Sequence, residues 1–81
     1  MIHKLKTVQP YFDEVDLGAK TFEVRKNDRN FKVGDFMVLQ EWSLEGRFYT
    51  GNEIKTIITY VLDDEEYCKE GYVVIGFAKL C

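Results

Sequence analysis

The fold is decided by residues 18–28, which read Gly-Ala-Lys-Thr-Phe-Glu-Val-Arg-Lys-Asn-Asp. Three charged side chains, Lys20, Glu23 and Arg25, fall within six consecutive positions of this stretch. They follow Gly18, a residue type that commonly ends a helix because it adopts left-handed backbone angles without strain. The stretch therefore predicts a helix end followed by a strand that carries two cations and a carboxylate.

In such a strand, over residues 20–26, successive side chains point to opposite faces of the sheet. Phe22 and Val24 are then predicted to point into the core. A strand that only covers a core has no need of charged residues on its outer face, whereas a ligand-binding groove has. We therefore expect a groove lined by the alternate side chains Thr21, Glu23 and Arg25.

Most of the remaining chain has the alternating or β-branched pattern of short strands. The exception is residues 11–17, where apolar residues recur near helical spacing and Pro10 suits the first turn of a helix. This pattern predicts a mainly β (α+β) single domain over residues 1–81, a small curled antiparallel sheet or barrel with one or two short helices. Strands are predicted over residues 2–8, 20–26, 36–42, 47–50, 53–62 and 72–80, with a bulge or turn at Gly51-Asn52.

Charge is distributed unevenly along the 81 residues, whose net charge is −3. Residues 20–32 carry five basic and two acidic side chains, whereas residues 63–70 carry five acids and one lysine. Non-specific binding to nucleic acid depends on neutralising phosphates, so the overall negative charge argues against a long duplex as the ligand. A short or single-nucleotide ligand at one basic edge is the better expectation.

The cellular context is predicted from features of composition. No apolar run approaches the length that spans a bilayer, and residues 1–4 do not begin a signal peptide, so we expect a cytoplasmic protein without membrane contact. Cys68 and Cys81 do not form a Cys-x-x-Cys pair and are expected to be free thiols. No cofactor or metal site is predicted, and a monomer is assumed.

The pattern Gly18-x-Lys20-Thr21-(apolar)-Glu23-(apolar)-Arg25, just after a short helix, resembles the ASCH superfamily. Further stretches extend the resemblance to small stand-alone bacterial and phage members that have no assigned function: residues 31–35, 41–42, 49–51, 58–62 and 71–76. The resemblance implies a PUA-like β-barrel that binds RNA or a nucleotide-like molecule. The ligand-binding residues we then expect are Lys20, Thr21, Glu23, Arg25, Lys26, Arg29, Lys32 and Trp42.

Three other interpretations remain open. Some ASCH proteins are amidohydrolases that act on acetylcytidine, which would give catalytic roles to Lys20 and Glu23. The chain departs from those enzymes, because Glu23 stands where their threonine nucleophile lies. Their catalytic glutamate on a second helical segment has no clear counterpart among Glu65, Glu66 and Glu70. The charged trio could instead be a structural ion-pair cluster, and the acidic segment 63–70 could make the chain a protein-interaction domain. A binding module is the interpretation we favour over an enzyme.

Overall fold

Five strands and one short helix make up the regular structure of the computed structural model, which describes residues 1–81. In chain order they are β1 (Ile2–Thr7), α1 (Tyr11–Asp16), β2 (Phe22–Lys26), β3 (Phe36–Ser43), β4 (Phe48–Leu62) and β5 (Tyr72–Lys79). The prediction of a mainly β fold with a short helix near residue 11 is confirmed. The two arms predicted at 47–50 and 53–62 are one strand, β4, which continues through the bulge at Gly51.

The strands form one sheet in the order β1-β3-β4-β5-β2. Three of the four neighbouring pairs are antiparallel, but β1 and β3 run parallel, with Ile2 opposite Phe36. Antiparallel neighbours can be joined by a tight turn, whereas parallel neighbours need a long crossover. Residues 8–35 form that crossover and contain both α1 and β2. The sheet is therefore mixed, where the sequence had suggested antiparallel pairing throughout.

The core lies on the inner face of the sheet. In the middle strands Met37, Leu39 and Ile75 have no exposed surface. The helix contributes Phe12 and Val15, and this packing holds a helix of only six residues, too short to be stable alone. The other buried apolar side chains are Leu5, Phe31, Ile54, Ile58, Val73 and Phe77.

The sheet curls into a half-barrel, which brings its two edge strands towards each other. Register shifts between Gln40 and Trp42 and between Ile58 and Tyr60 mark irregularities of the kind that bend strands. The edges β1 and β2 are not neighbours in the sheet. Side chains of β2 and of the loop after it join them instead: Arg25 Nη2 donates to Thr7 Oγ1 (3.1 Å), and Arg29 Nη1 of the loop donates to the Lys4 carbonyl (2.9 Å). We call this junction the seam.

The prediction of which face of β2 points inward is wrong. Phe22 and Val24 are 45% and 55% exposed, whereas Glu23 is only 5% exposed. The register explains the inversion, because Glu23 lies opposite the buried Ile75 of β5, and directly opposed residues share a face. Glu23 and Arg25 therefore point inward, towards the seam, whereas Phe22, Val24 and Lys26 lie on the outward face of β2.

Polar groups cluster around Asp35 at the start of β1, and we call this cluster the Asp35 corner. His3 is 3% exposed, its ring packs against Phe31 at 4.7 Å between centroids, and its Nε2 lies 2.8 Å from Asp35 Oδ2. Asp35 also accepts the Lys32 N–H (3.3 Å) and lies 3.4 Å from the N-terminal ammonium. The hydrogen bond with His3, supported by these other two groups, lowers the pKa of the Asp35 carboxyl below its ordinary value of 3.8.

This lowered pKa predicts a loss of stability in acid. A carboxyl whose pKa is lower in the folded state stabilises the fold above its unfolded pKa, and that contribution disappears as the pH falls through the folded pKa. Urea titrations of the wild type should therefore show stability falling below about pH 4, more steeply than in Asp35→Asn. Asp63→Asn, in the exposed acidic segment, is the control and should keep the wild-type slope. Equal slopes in wild type and Asp35→Asn would contradict the assignment.

Candidate functional site

Three adjoining pockets lie along the seam, beside α1, and neighbouring pockets share lining residues; together we call them the seam hollow. Its first chamber, about 360 Å³, is lined by Tyr11, Lys20, Phe22, Glu23 and Val24, and we call it the aromatic chamber. The middle chamber, about 240 Å³, shares Tyr11, Glu23 and Val24 with the first and adds Lys6, Thr7, Val8 and Arg25. The cationic chamber, about 210 Å³, is lined by Leu5, Lys6, Arg25, Lys26, Asp28, Arg29 and Phe31.

Glu23 lies at the centre of the charged trio. Its Oε2 is 3.2 Å from Lys20 Nζ and 3.6 Å from Arg25 Nε. Lys20 reaches this position because the chain turns at Gly18, just after the end of α1, with a φ of +81°. The N–H groups of Ala19 and Lys20 both donate to the Glu14 carbonyl and fix this turn. The end of α1 and the start of β2 therefore bring these three side chains together.

Two buried polar atoms of this trio have no hydrogen-bond partner: Glu23 Oε1 and Arg25 Nε. One is an acceptor and the other is a donor. Leaving a buried polar group without a partner costs about 1–3 kcal/mol, so native proteins rarely do so away from functional sites. An ion-pair cluster that served only the fold would be expected to provide hydrogen-bond partners for both atoms.

The mouth of the aromatic chamber is formed by two half-exposed rings. Lys20 Nζ lies 5.6 Å from the centroid of the Tyr11 ring and 5.3 Å from that of Phe22. The same ammonium donates to the Phe22 carbonyl at 2.8 Å. An ammonium has three donors, so Lys20 keeps one beyond those directed at Phe22 and Glu23. Exposed rings beside a positive charge are suited to stacking on a planar heterocycle.

A second aromatic pair lies on the other side of β1. Trp42 and Tyr49 meet edge to face, with 4.8 Å between ring centroids, and Lys6 Nζ lies 3.9 Å from the Trp42 centroid. Next to them, three groups donate to the Glu41 carboxylate and lower its pKa: the Asn52 amide, the Thr50 hydroxyl and the Gln9 amide. Trp42, predicted to bind the ligand, therefore lies outside the three chambers, although Lys6, which lines two of them, contacts its ring.

The structure brings together some of the sequence-predicted residues and not others. Lys20, Glu23 and Arg25 form one cluster, and Lys26 and Arg29 line the adjoining cationic chamber. Thr21 lies outside the three chambers, where its carbonyl accepts the Phe77 N–H, and the Lys32 N–H belongs to the Asp35 corner. Sequence reasoning missed Tyr11, Phe22 and Lys6 as lining residues. The alternation had placed Phe22 in the core, and nothing local marks Lys6, because it comes from the opposite edge of the sheet.

No group of three or more His, Cys, Asp or Glu side chains is arranged so that it could hold a metal ion. The only helix of the chain lacks the length that crossing a bilayer requires. Both cysteines are free thiols.

These features define a class of small mixed-β half-barrels with a charged hollow at the seam. A family model described as "Domain of unknown function (DUF3850)" matches residues 2–77, and the chain belongs to this family. It is also 42% identical over 74 residues to the "Uncharacterized 12.9 kDa protein in GpA 3'region" of Escherichia phage P2. The alignment covers 91% of this chain and 65% of the phage protein, so the chain spans somewhat less than two thirds of that relative.

Proposed function

We propose that this domain is a cytoplasmic binding module for RNA or a nucleotide-like ligand, which it holds in the seam hollow. The observation that carries the proposal is the buried, unpartnered pair of Glu23 Oε1 and Arg25 Nε between the two edge strands. Both side chains line the middle chamber, so a bound molecule that offered one N–H donor and one acceptor would satisfy both atoms once the side chains rotate towards it.

The edge of a nucleobase has this chemistry. Each base presents N–H donors beside carbonyl or ring-nitrogen acceptors. Glu23 Oε1 would accept from the base, while Arg25 Nε and the remaining donor of Lys20 would donate to it. Tyr11 and Phe22, half-exposed at the aromatic chamber, would contact its flat face.

The size and charge of the hollow favour a short ligand. The aromatic chamber, about 360 Å³, is within the range of small-molecule sites, and the chain as a whole is negatively charged. A long duplex would require a broad basic surface to offset phosphate repulsion. The ASCH resemblance of residues 18–25 supports the same conclusion, because it implies RNA or nucleotide binding in a PUA-like fold.

An amidohydrolase is the second candidate, and one contact favours it: Lys20 Nζ lies 3.2 Å from the buried Glu23 carboxylate, within the same hollow. A general base must lie within reach of the group it deprotonates. The aliphatic hydroxyl among the lining residues is that of Thr7, which accepts a hydrogen bond from Arg25. Release of acetate from acetylcytidine by the wild type, lost in Lys20→Ala, would support this candidate in place of simple binding.

Binding is tested with short single-stranded RNAs and nucleoside monophosphates at two salt concentrations. Lys20→Ala and Glu23→Gln should each weaken binding about tenfold or more, because both remove a charge from the recognition cluster. The matched control is Lys55→Ala, an exposed lysine of the central strand β4 that lines none of the three chambers. If no probe binds the wild type better than it binds both variants, the proposal fails.

A further inference from the structure

We infer that the seam hollow holds a nucleoside phosphate in one orientation, with its base in the aromatic chamber and its phosphate in the cationic chamber. This inference rests on the proposed function and adds a direction and a phosphate subsite to it. The two ends of the hollow differ in charge and in aromatic content, and these differences carry the argument.

The cationic chamber has a surplus of positive charge. Four of its lining side chains are basic (Lys6, Arg25, Lys26 and Arg29), and Asp28 is its only acid. Lys6, Lys26 and Arg29 take part in none of the ion pairs of the structure. Unpaired cations that surround one small chamber form an anion subsite.

Arg29 is the best-positioned group of this subsite. Its Nη1 donates to the Lys4 carbonyl at 2.9 Å, across the seam, and this bond fixes one side of the guanidinium. A guanidinium has five N–H donors in a rigid fork, so the other donors remain available to phosphate oxygens. Lys26, exposed on the same chamber, has no side-chain partner and can move towards an anion.

The opposite end is unsuited to phosphate. Glu23 lines the aromatic and middle chambers but not the cationic one, so a phosphate at the aromatic end would meet a buried carboxylate. Tyr11 and Phe22 offer the ring surfaces that a base needs. Arg25 lines both the middle and cationic chambers, and it would therefore contact the ligand between its base and its phosphate.

The orientation is tested by comparing nucleosides with their 5′-monophosphates. The probes are adenosine, guanosine, cytidine, uridine and the four matching monophosphates, measured by calorimetry against wild type, Arg29→Gln, Lys26→Ala and Tyr11→Ala. Arg29→Gln and Lys26→Ala should each lower the affinity for the monophosphate by roughly fivefold to tenfold and leave the affinity for the nucleoside unchanged. Tyr11→Ala should lower the affinities for nucleoside and monophosphate by the same factor, and Lys55→Ala should change neither affinity.

Two results would overturn the inference. The first is an equal loss of nucleoside and monophosphate affinity in the cationic-chamber variants, which would mean that these residues act on the fold and not on a phosphate. The second is a monophosphate that binds wild type no better than its nucleoside does. Failure of the proposed function is distinguishable, since neither probe nor any RNA oligomer would then bind. A comparison of dinucleotides with mononucleotides then shows whether the bound phosphate belongs to a nucleic-acid strand or to a free nucleotide.

Discussion

Leu39→Ala is expected to lower the free energy of unfolding by about 2–5 kcal/mol. Leu39 has no exposed surface, and its register neighbours are Leu5 on β1 and Ile54 on β4, both also buried. Truncation would remove apolar contacts from the centre of the sheet and leave a cavity that the surrounding strands cannot fully close. For an 81-residue chain, about 0.05–0.15 kcal/mol per residue gives a total stability of about 4–12 kcal/mol.

Urea unfolding followed by circular dichroism measures this loss as a shift of the midpoint at constant slope. Val33→Ala is the control, because Val33 is 65% exposed in the loop before β3 and should shift the midpoint little. A midpoint for Leu39→Ala close to that of Val33→Ala would show that the centre of the sheet is not packed as described.

Arg25→Ala is expected to lower the free energy of unfolding by about 1.5–3 kcal/mol and to loosen the seam. The variant loses the hydrogen bond to Thr7, which joins β2 to β1, and leaves Glu23 with Lys20 as its single counter-charge. A buried carboxylate that loses one of its two cations is destabilised. Lysine at this position would lack the fork that reaches Glu23 and Thr7 together, so Arg25→Lys should recover only part of the loss.

Hydrogen exchange separates this local effect from global destabilisation. Amides of β1 and β2 should exchange faster in Arg25→Ala than in wild type, by a larger factor than those of the central strand β4. Lys26→Ala provides the comparison, since its side chain is exposed and lies next to Arg25 in the sequence. Uniform acceleration over all strands, or exchange identical to that of Lys26→Ala, would contradict a seam held by Arg25.

The sequence predicted the strands well because their signal is local. Alternation over residues 36–42 and 72–80 identifies β3 and β5 without knowledge of any partner. Alternation cannot say which face of an edge strand points inward, and this explains the error at Phe22. Hydrophobicity placed that ring in the core, but Glu23 is the residue that can be buried, because Lys20 and Arg25 supply the compensating charge.

The candidate site was predictable where its residues are close in sequence. Lys20, Glu23 and Arg25 are neighbours on a helix end and one strand, so their clustering follows from local geometry. Lys6 and Thr7 join them from β1, which lies at the other edge of the sheet. Nothing in the amino-acid pattern specifies how far a sheet curls, so the meeting of the two edges, and the parallel pairing of β1 with β3, required the three-dimensional structure.

The parallel pairing has a consequence for the order of assembly. The first strand of this sheet in chain order, β1, pairs with β3, with Ile2 opposite Phe36, so its partner has not yet been made when β1 is synthesised. The strands β3, β4 and β5 are consecutive both in the chain and in the sheet, and β1 and β2 lie on the two sides of this meander. Because the parallel pairing closes a longer loop than a hairpin does, β1 stays unpaired at least until β3 has been synthesised.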